Sequence, residues 1–353
     1  MEIRLSSPEN QLLSSLYFGG GTPSLLTPSQ MERLLNSIHR LARPEATAEI
    51  TLEANPEDIN LEKLSVWRSM GINRLSIGLQ SSHNERLTWM NRSHSAEDGE
   101  RAVKLAQDAG FGNITVDLMY GFPDGSKKEL EEDLNYILSL DTPHISAYNL
   151  TIEPDTVFGR HKKKGQLIPL PEEDSAARFL QVFDRLEEAG FSAYEISNFS
   201  KPGAEALHNR NYWLQKPFVG IGPSAHGFDG KSKRWENTAS NAAYLRDLDA
   251  GKLSETVEIL SPSSLANEFI LTRLRMKDGL PLSEFREKFG IGLEAIRSAE
   301  IQKAKDQDWL SDENGQLVLS RSGRLMADFL ALEFFTEDHD FGDLSPGQER
   351  TLH

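Results

Sequence analysis

The sequence predicts an α/β protein, with a parallel sheet, open or closed into a barrel, followed by a small helical domain that ends in a hairpin. Three observations predict it. Short β-rich runs alternate with amphipathic helical stretches through the first two thirds of the chain, glycines stop several of those helices, and the last third changes to clustered helices with an Asn-Gly turn. Repeated strand-helix units joined by right-handed crossovers build a parallel sheet.

The elements follow in order. Strand-like runs are Leu16 to Phe18, Glu49 to Glu53, Arg74 to Gly78, Ile114 to Tyr120, His144 to Leu150 and Ala193 to Ser197. Helical patterns lie between them, at Pro28 to Leu41, Leu61 to Met70, Ala96 to Ala109, Lys128 to Leu140 and Glu172 to Ala189. Thr27 or Ser29 can cap the first helix, and Gly71, Gly110 and Gly190 stand where helices end. In the last third, Leu265 to Met276, Leu282 to Phe289 and Glu294 to Lys305 read as helices. A hairpin over Trp309 to Ser320 turns at Glu313-Asn-Gly315, and a last helix runs from Gly323 to Phe335. The boundary is expected between 245 and 262, giving a barrel domain over 1–250 and a C-terminal domain over 251–335. The acidic Gly/Ser-rich tail over 336–353 is expected to be disordered.

Composition narrows the function. No apolar run approaches the roughly 20 residues that span a bilayer, and the first residues do not read as a signal peptide, so a cytoplasmic protein is expected. The complete lack of cysteine removes disulfides, thiolate nucleophiles and thiolate-bound metals. A net charge of −16 argues against nucleic acid as the partner. The basic cluster Arg160-His161-Lys162-Lys163-Lys164 reads as a solvated loop.

In parallel α/β folds ligands gather at the carboxyl ends of the strands. There the chain places Gly19-Gly20-Gly21-Thr22, then Glu53 and Asn55, Gln80, Asp117 and Asn149. The glycines permit positive φ and close backbone approach. Each polar residue also has a plain structural use: Glu53 in an ion pair, Gln80 as a helix cap, Asp117 on a loop amide. Their convergence on one rim favours a shared ligand rich in hydroxyl and amine groups.

The runs Tyr17-Phe-Gly-Gly-Gly-Thr-Pro-Ser-Leu-Leu26, Thr51-Leu-Glu-Ala-Asn-Pro56, Gly71 to Ser81, Asp117-Leu-Met-Tyr-Gly-Phe-Pro123, His144-Ile-Ser-Ala-Tyr148 and Tyr194-Glu-Ile-Ser-Asn-Phe199 carry a resemblance. In this order they resemble the HemW heme chaperones, within the oxygen-independent coproporphyrinogen III oxidase family of radical S-adenosylmethionine (SAM) proteins. The resemblance implies a radical-SAM-type barrel and a winged-helix-like C-terminal domain. It places SAM contacts at Gly20, Gly21, Thr22, Glu53, Gln80, Arg92 and Asp117. Arg92 suits the SAM carboxylate, and Glu53 or Asp117 suits ribose hydroxyls or the ammonium. Arg92 could instead pair with Glu85 or Glu97.

One departure from the family is large. Radical SAM proteins hold a four-iron four-sulfur cluster on a Cys-x-x-x-Cys-x-x-Cys loop, and this sequence begins downstream of where that loop would stand, with the first barrel strand missing as well. The residues before Tyr17 contain no His or Cys, and Glu2 and Glu9 are their only acids. Carboxylates do not replace thiolates on iron and sulfur, so radical chemistry is not expected of the chain as written. Strand Leu16 to Phe18 becomes a sheet edge unless residues 3–15 or a partner chain cover it.

His208-Asn209-Arg210-Asn211-Tyr212-Trp213 is similar to the family's His-Asn-x-x-Tyr-Trp element, which implies heme binding. His208 would be an axial ligand to heme iron, and Tyr212 and Trp213 would lend flat faces to a porphyrin. The plain alternative is a His and Trp that fill a core gap. Gly220 to Gly227 matches a glycine-rich turn of the family, and His226 within it reads as structural. The helix Glu294 to Lys305 carries no basic cluster, so a packing or lid role is expected rather than DNA binding.

The function expected is non-enzymatic. The chain binds heme and passes it to an acceptor protein, with a homodimer as the candidate assembly, and retains a SAM pocket. The alternative is a truncated oxidoreductase of the coproporphyrinogen III oxidase type.

Overall fold

The computed structural model describes residues 12–341. They fall into two compact units that divide between His208 and Asn209, earlier than the boundary at 250/251 read from composition.

The first unit alternates strand and helix, in the order β1 (Leu12–Phe18), α1 (Pro28–Leu41), β2 (Arg43–Ala54), α2 (Leu61–Ser69), β3 (Arg74–Gln80), α3 (Asn84–Trp89), α4 (Ala96–Asp108), β4 (Asn113–Tyr120), α5 (Lys127–Ser139), β5 (His144–Asn149), α6 (Val157–Lys163), α7 (Glu172–Glu188), β6 (Ser192–Ala193), β7 (Asn198–Ser200) and α8 (Leu207–Trp213), whose first two residues complete this unit. One seven-stranded sheet has the order β1-β2-β3-β4-β5-β7-β6. Strands β1 to β5 are parallel, so their carboxyl ends share a rim. The last two strands pair antiparallel, closing the sheet differently from the parallel strand expected over Ala193–Ser197. Residues 194–197 make a turn instead, in which Tyr194 N–H donates to the Asn198 carbonyl (3.1 Å) and Ser197 N–H to the Glu195 carboxylate (3.1 Å). Among the described residues β1 pairs only with β2 and forms the sheet edge.

Local chemistry fixes the helix ends. Thr27 caps α1, accepting from Gln30 N–H while the Gln30 amide oxygen accepts from Thr27 N–H, and Ser95 and Ser126 build the same reciprocal box on α4 and α5. Alternation along the strands then sorts side chains by face. Leu52, Leu75, Ile77, Leu79, Ile114, Val116, Leu118 and Ile145 are buried under the helices against Met31, Leu64, Trp67, Val103 and Leu134. Burying each such side chain contributes roughly 1.5–3 kcal/mol, which ties the helical layer to the sheet. The opposite face carries Glu49, Glu53, Arg74, Ser76, Thr115, Asp117, His144 and Ser146.

The second unit holds a four-stranded antiparallel sheet that sequence reading did not find. It is built from β8 (Phe218–Val219), β9 (His226–Phe228), β10 (Lys233–Asn237) and, after helix α9 (Asn241–Asp249), β11 (Glu255–Ile259). Gly227 belongs to it for a steric reason, because a Cβ there would collide with the Trp235 ring. Helices α10 (Pro262–Leu274), α11 (Leu282–Phe289), α12 (Leu293–Ile296), α13 (Ser298–Asp306), α14 (Arg321–Leu325) and α15 (Ala327–Phe334) pack with a three-stranded sheet ordered β12 (Leu280–Pro281), β14 (Gln316–Leu319), β13 (Leu310–Asp312).

The helix expected over Glu294–Lys305 is broken at Arg297 (φ −130°, ψ 33°), whose guanidinium donates to the Phe335 carbonyl (2.7 and 3.0 Å) and to Asp340 (3.0 Å). The same contacts order part of the expected disordered tail. Thr336 is buried and bonded to Asn267, and Phe341 is buried, so residues 336–341 belong to the fold; 342–353 lie outside the described residues. Among the described residues no helix is long and apolar enough to cross a membrane.

Candidate functional site

The polar face of the first unit ends in an open cavity of about 220 Å³ at the carboxyl rim. Gly21, Thr22, Glu53, Gln80, Arg92 and Asp117 line it, as do Ser24, Asn55, Ser76 and Gly78. Gly20 adjoins it through its N–H, which donates to Glu53 (3.1 Å). All seven residues expected around SAM therefore meet. Asn149, also at a strand end, turns away to donate to Ser175 (2.7 Å).

Each lining residue is held by local structure. Gly20 and Gly21 have φ of +72° and +62°, so the loop bends where only glycine does so readily. Glu53 takes a second donor, the Tyr17 hydroxyl (2.7 Å). Arg92 donates to Asn55 Oδ1 and to the Gly78 carbonyl (both 2.9 Å), and pairs with neither Glu85 nor Glu97. Gly78 leaves room for this: a Cβ would lie 2.9 Å from Arg92 and 3.1 Å from the Gln80 amide.

Gln80 is not a helix cap. It sits at φ +73° in a tight turn in which Ser81 N–H donates to the Leu79 carbonyl (3.0 Å), a strained three-residue turn. Buried Asp133 braces that turn by accepting from Ser81 Oγ (2.9 Å), Ser82 N–H (2.6 Å) and Ser82 Oγ (2.7 Å). Burial first, and the Glu53 charge second, raise the Asp117 carboxyl to about 7, although a Ser146 hydrogen bond and Arg92 act the other way.

A second constellation surrounds His208 at the start of α8. Glu49 accepts from the backbone N–H of Leu207 (3.0 Å) and His208 (2.9 Å), and nearly buried Arg74 lies 3.6 Å from Glu49 while donating to Thr115 (2.9 Å). His208 Nδ1 is 2.9 Å from Ser15 Oγ, and its ring stacks on Tyr17 with centroids 4.8 Å apart at 19°. Burial lowers its pKa to about 4, keeping the imidazole neutral at ordinary pH. Glu49 and Arg74 show only the period of predicted strands, Ser15 precedes the first predicted strand, and Tyr17 stands in the glycine-rich run with no role that sequence alone assigns. In the second unit, exposed Tyr212 meets Phe218 edge-on (4.6 Å), and Arg275 lies over the Trp213 ring at 6.0 Å. His226, an exposed residue of β9, joins no ligand set among the described residues.

The donor sets fit two of the three groups expected. Carboxylates, an amide and a guanidinium around one cavity suit SAM, and a neutral imidazole suits heme iron. An iron-sulfur cluster does not fit, because the chain has no cysteine and no three potential ligands converge among the described residues.

A family model described as the Radical SAM superfamily matches residues 2–137, and one described as the HemN C-terminal domain matches 260–326. Together with the half-barrel sheet and its rim cavity, they define the class as radical-SAM-type proteins with a HemN-type C-terminal domain. The heme chaperone HemW of Bacillus subtilis (strain 168) is 34% identical over 318 residues, covering 89% of this chain and 83% of that one. Its counterpart in Escherichia coli (strain K12) is 33% identical over 330 residues, covering 92% and 85%. The chain belongs to the HemW family of heme chaperones. A solved structure of the coproporphyrinogen III oxidase HemN from Escherichia coli has the same fold, with a TM-score of 0.80, 21% identity, and coverage of 95% of this chain and 81% of that one.

Proposed function

We propose that this chain binds heme through His208 and delivers it to an acceptor protein in the cytoplasm, and that the rim cavity takes S-adenosylmethionine as an auxiliary ligand. The observation that carries the heme reading is the setting of His208: a partly buried imidazole held at Nδ1 by Ser15 and at its backbone N–H by Glu49, with burial lowering its pKa. Fixing one ring nitrogen by a hydrogen bond is how proteins orient the other toward a metal. In the cavity, Arg92 would take the SAM carboxylate, and Glu53 and Asp117 its ammonium and ribose hydroxyls, with Gly20, Gly21, Thr22 and Gln80 shaping the rim.

The alternative, radical decarboxylation of coproporphyrinogen, needs an electron from an iron-sulfur cluster that these residues do not hold, so we assign no catalytic residue. Hemin titration tests the main reading. A Soret shift is expected with the native chain and a weakened one with His208→Ala; spectra that stay unchanged in both reject heme binding. Coproporphyrinogen decarboxylation by the purified chain would favour the alternative.

A further inference from the structure

We infer that Tyr17 couples the rim cavity to His208, so that a ligand engaging Glu53 changes the affinity for heme, and heme changes the affinity for that ligand. The inference rests on the reading above for the identity of the two ligands, but the coupling itself is read from one side chain with two contacts. The Tyr17 hydroxyl donates to Glu53 Oε1 at 2.7 Å, and Glu53 lines the cavity. The same ring stacks on the His208 imidazole at 4.8 Å.

Gly19 tightens the arrangement. A Cβ on it would collide with the Tyr17 ring and lie 2.9 Å from Glu53 Oε1, so ring and carboxylate are packed against a backbone that carries no side chain. Burial and the Glu53 charge hold the phenol protonated far above its ordinary range, which keeps it a donor.

Glu53 already accepts from Tyr17 and from Gly20 N–H, one on each oxygen. An ammonium or hydroxyl entering the cavity brings a further donor and draws the carboxylate toward itself. Tyr17 then loses or lengthens its hydrogen bond, and the ring that orients the imidazole shifts. Ser15, by contrast, contacts His208 at Nδ1 and is not among the residues lining the cavity. It therefore separates general disturbance of His208 from transmission out of the cavity. Linkage requires the effect to be reciprocal.

The test uses the full 353-residue chain. Hemin affinity is measured by Soret titration with and without saturating S-adenosylmethionine, and S-adenosylmethionine affinity by calorimetry with and without hemin. The expected result is one common factor of about fivefold or more in both directions. In Tyr17→Phe, which keeps the ring but removes the hydroxyl, that factor falls to one, while Ser15→Ala changes the hemin affinity and retains the factor. Two ligands that bind with no mutual effect in the native chain overturn the coupling and leave the heme reading standing, as does an undiminished factor in Tyr17→Phe. Absence of any Soret shift overturns the heme reading and the coupling together.

Discussion

Two titratable side chains define how the site should respond to pH. His208 is lowered by burial from 6.5 to about 4. Between those values the unfolded imidazole binds a proton that the folded one refuses, so the residue makes the fold less stable as pH falls through this window. Heme ligation through His208 is expected to persist at pH 5 and to disappear at or below about pH 4, followed by the Soret band with circular dichroism in parallel. A midpoint near 6.5 would contradict the burial argument. Asp117 behaves in the opposite sense, raised by burial from 3.8 to about 7. Its contribution to stability is fully present below 3.8 and is lost as pH rises through 7. A cationic ligand favours the ionised carboxylate, so S-adenosylmethionine should bind more tightly as pH passes 7. Asp117→Asn should flatten that dependence in calorimetry across pH 6 to 8; an unchanged slope would remove Asp117 from the cavity's chemistry.

At the scale of elements, the turn after β3 is the most informative. Asp133 on α5 holds three donors from Ser81 and Ser82 and thereby sustains the strained backbone at Gln80. Asp133→Ala leaves those donors without their acceptor, at about 1–3 kcal/mol for a buried group. The expected outcome is a lower melting temperature and roughly tenfold weaker S-adenosylmethionine binding, with partial recovery in Asp133→Asn; unaltered binding would show that Gln80 holds its place without the brace. Helix α1 was legible to the residue because its cap, Thr27 with Gln30, and its apolar stripe are local. The break at Arg297 was not, since the carbonyl that captures its guanidinium belongs to Phe335. The short strands β8 to β11 escaped for a related reason, as two to five residues show too little period to read.

Over the whole molecule, the absence of cysteine makes the clearest demand. Anaerobic reconstitution with iron and sulfide should leave the chain without brown cluster absorption, and incubation with S-adenosylmethionine and a reductant should yield no cleaved nucleoside. A cluster band would reveal a ligand set that the described residues do not contain.

By itself the sequence determined the alternation of strand and helix, the glycine rim, the polar residues at the strand ends and the lack of thiolates, because each is written in neighbouring residues or in composition. Tertiary structure alone decided that Tyr17 stands between Glu53 and His208, that Glu49 and Arg74 anchor α8, and that Asp133 braces Gln80. The Tyr17–Glu53, Ser81–Asp133 and His208–Glu49 hydrogen bonds join residues 36, 52 and 159 positions apart, and which partners meet across such distances is set by the register of parallel strands and the packing of the inner face, which no local pattern encodes.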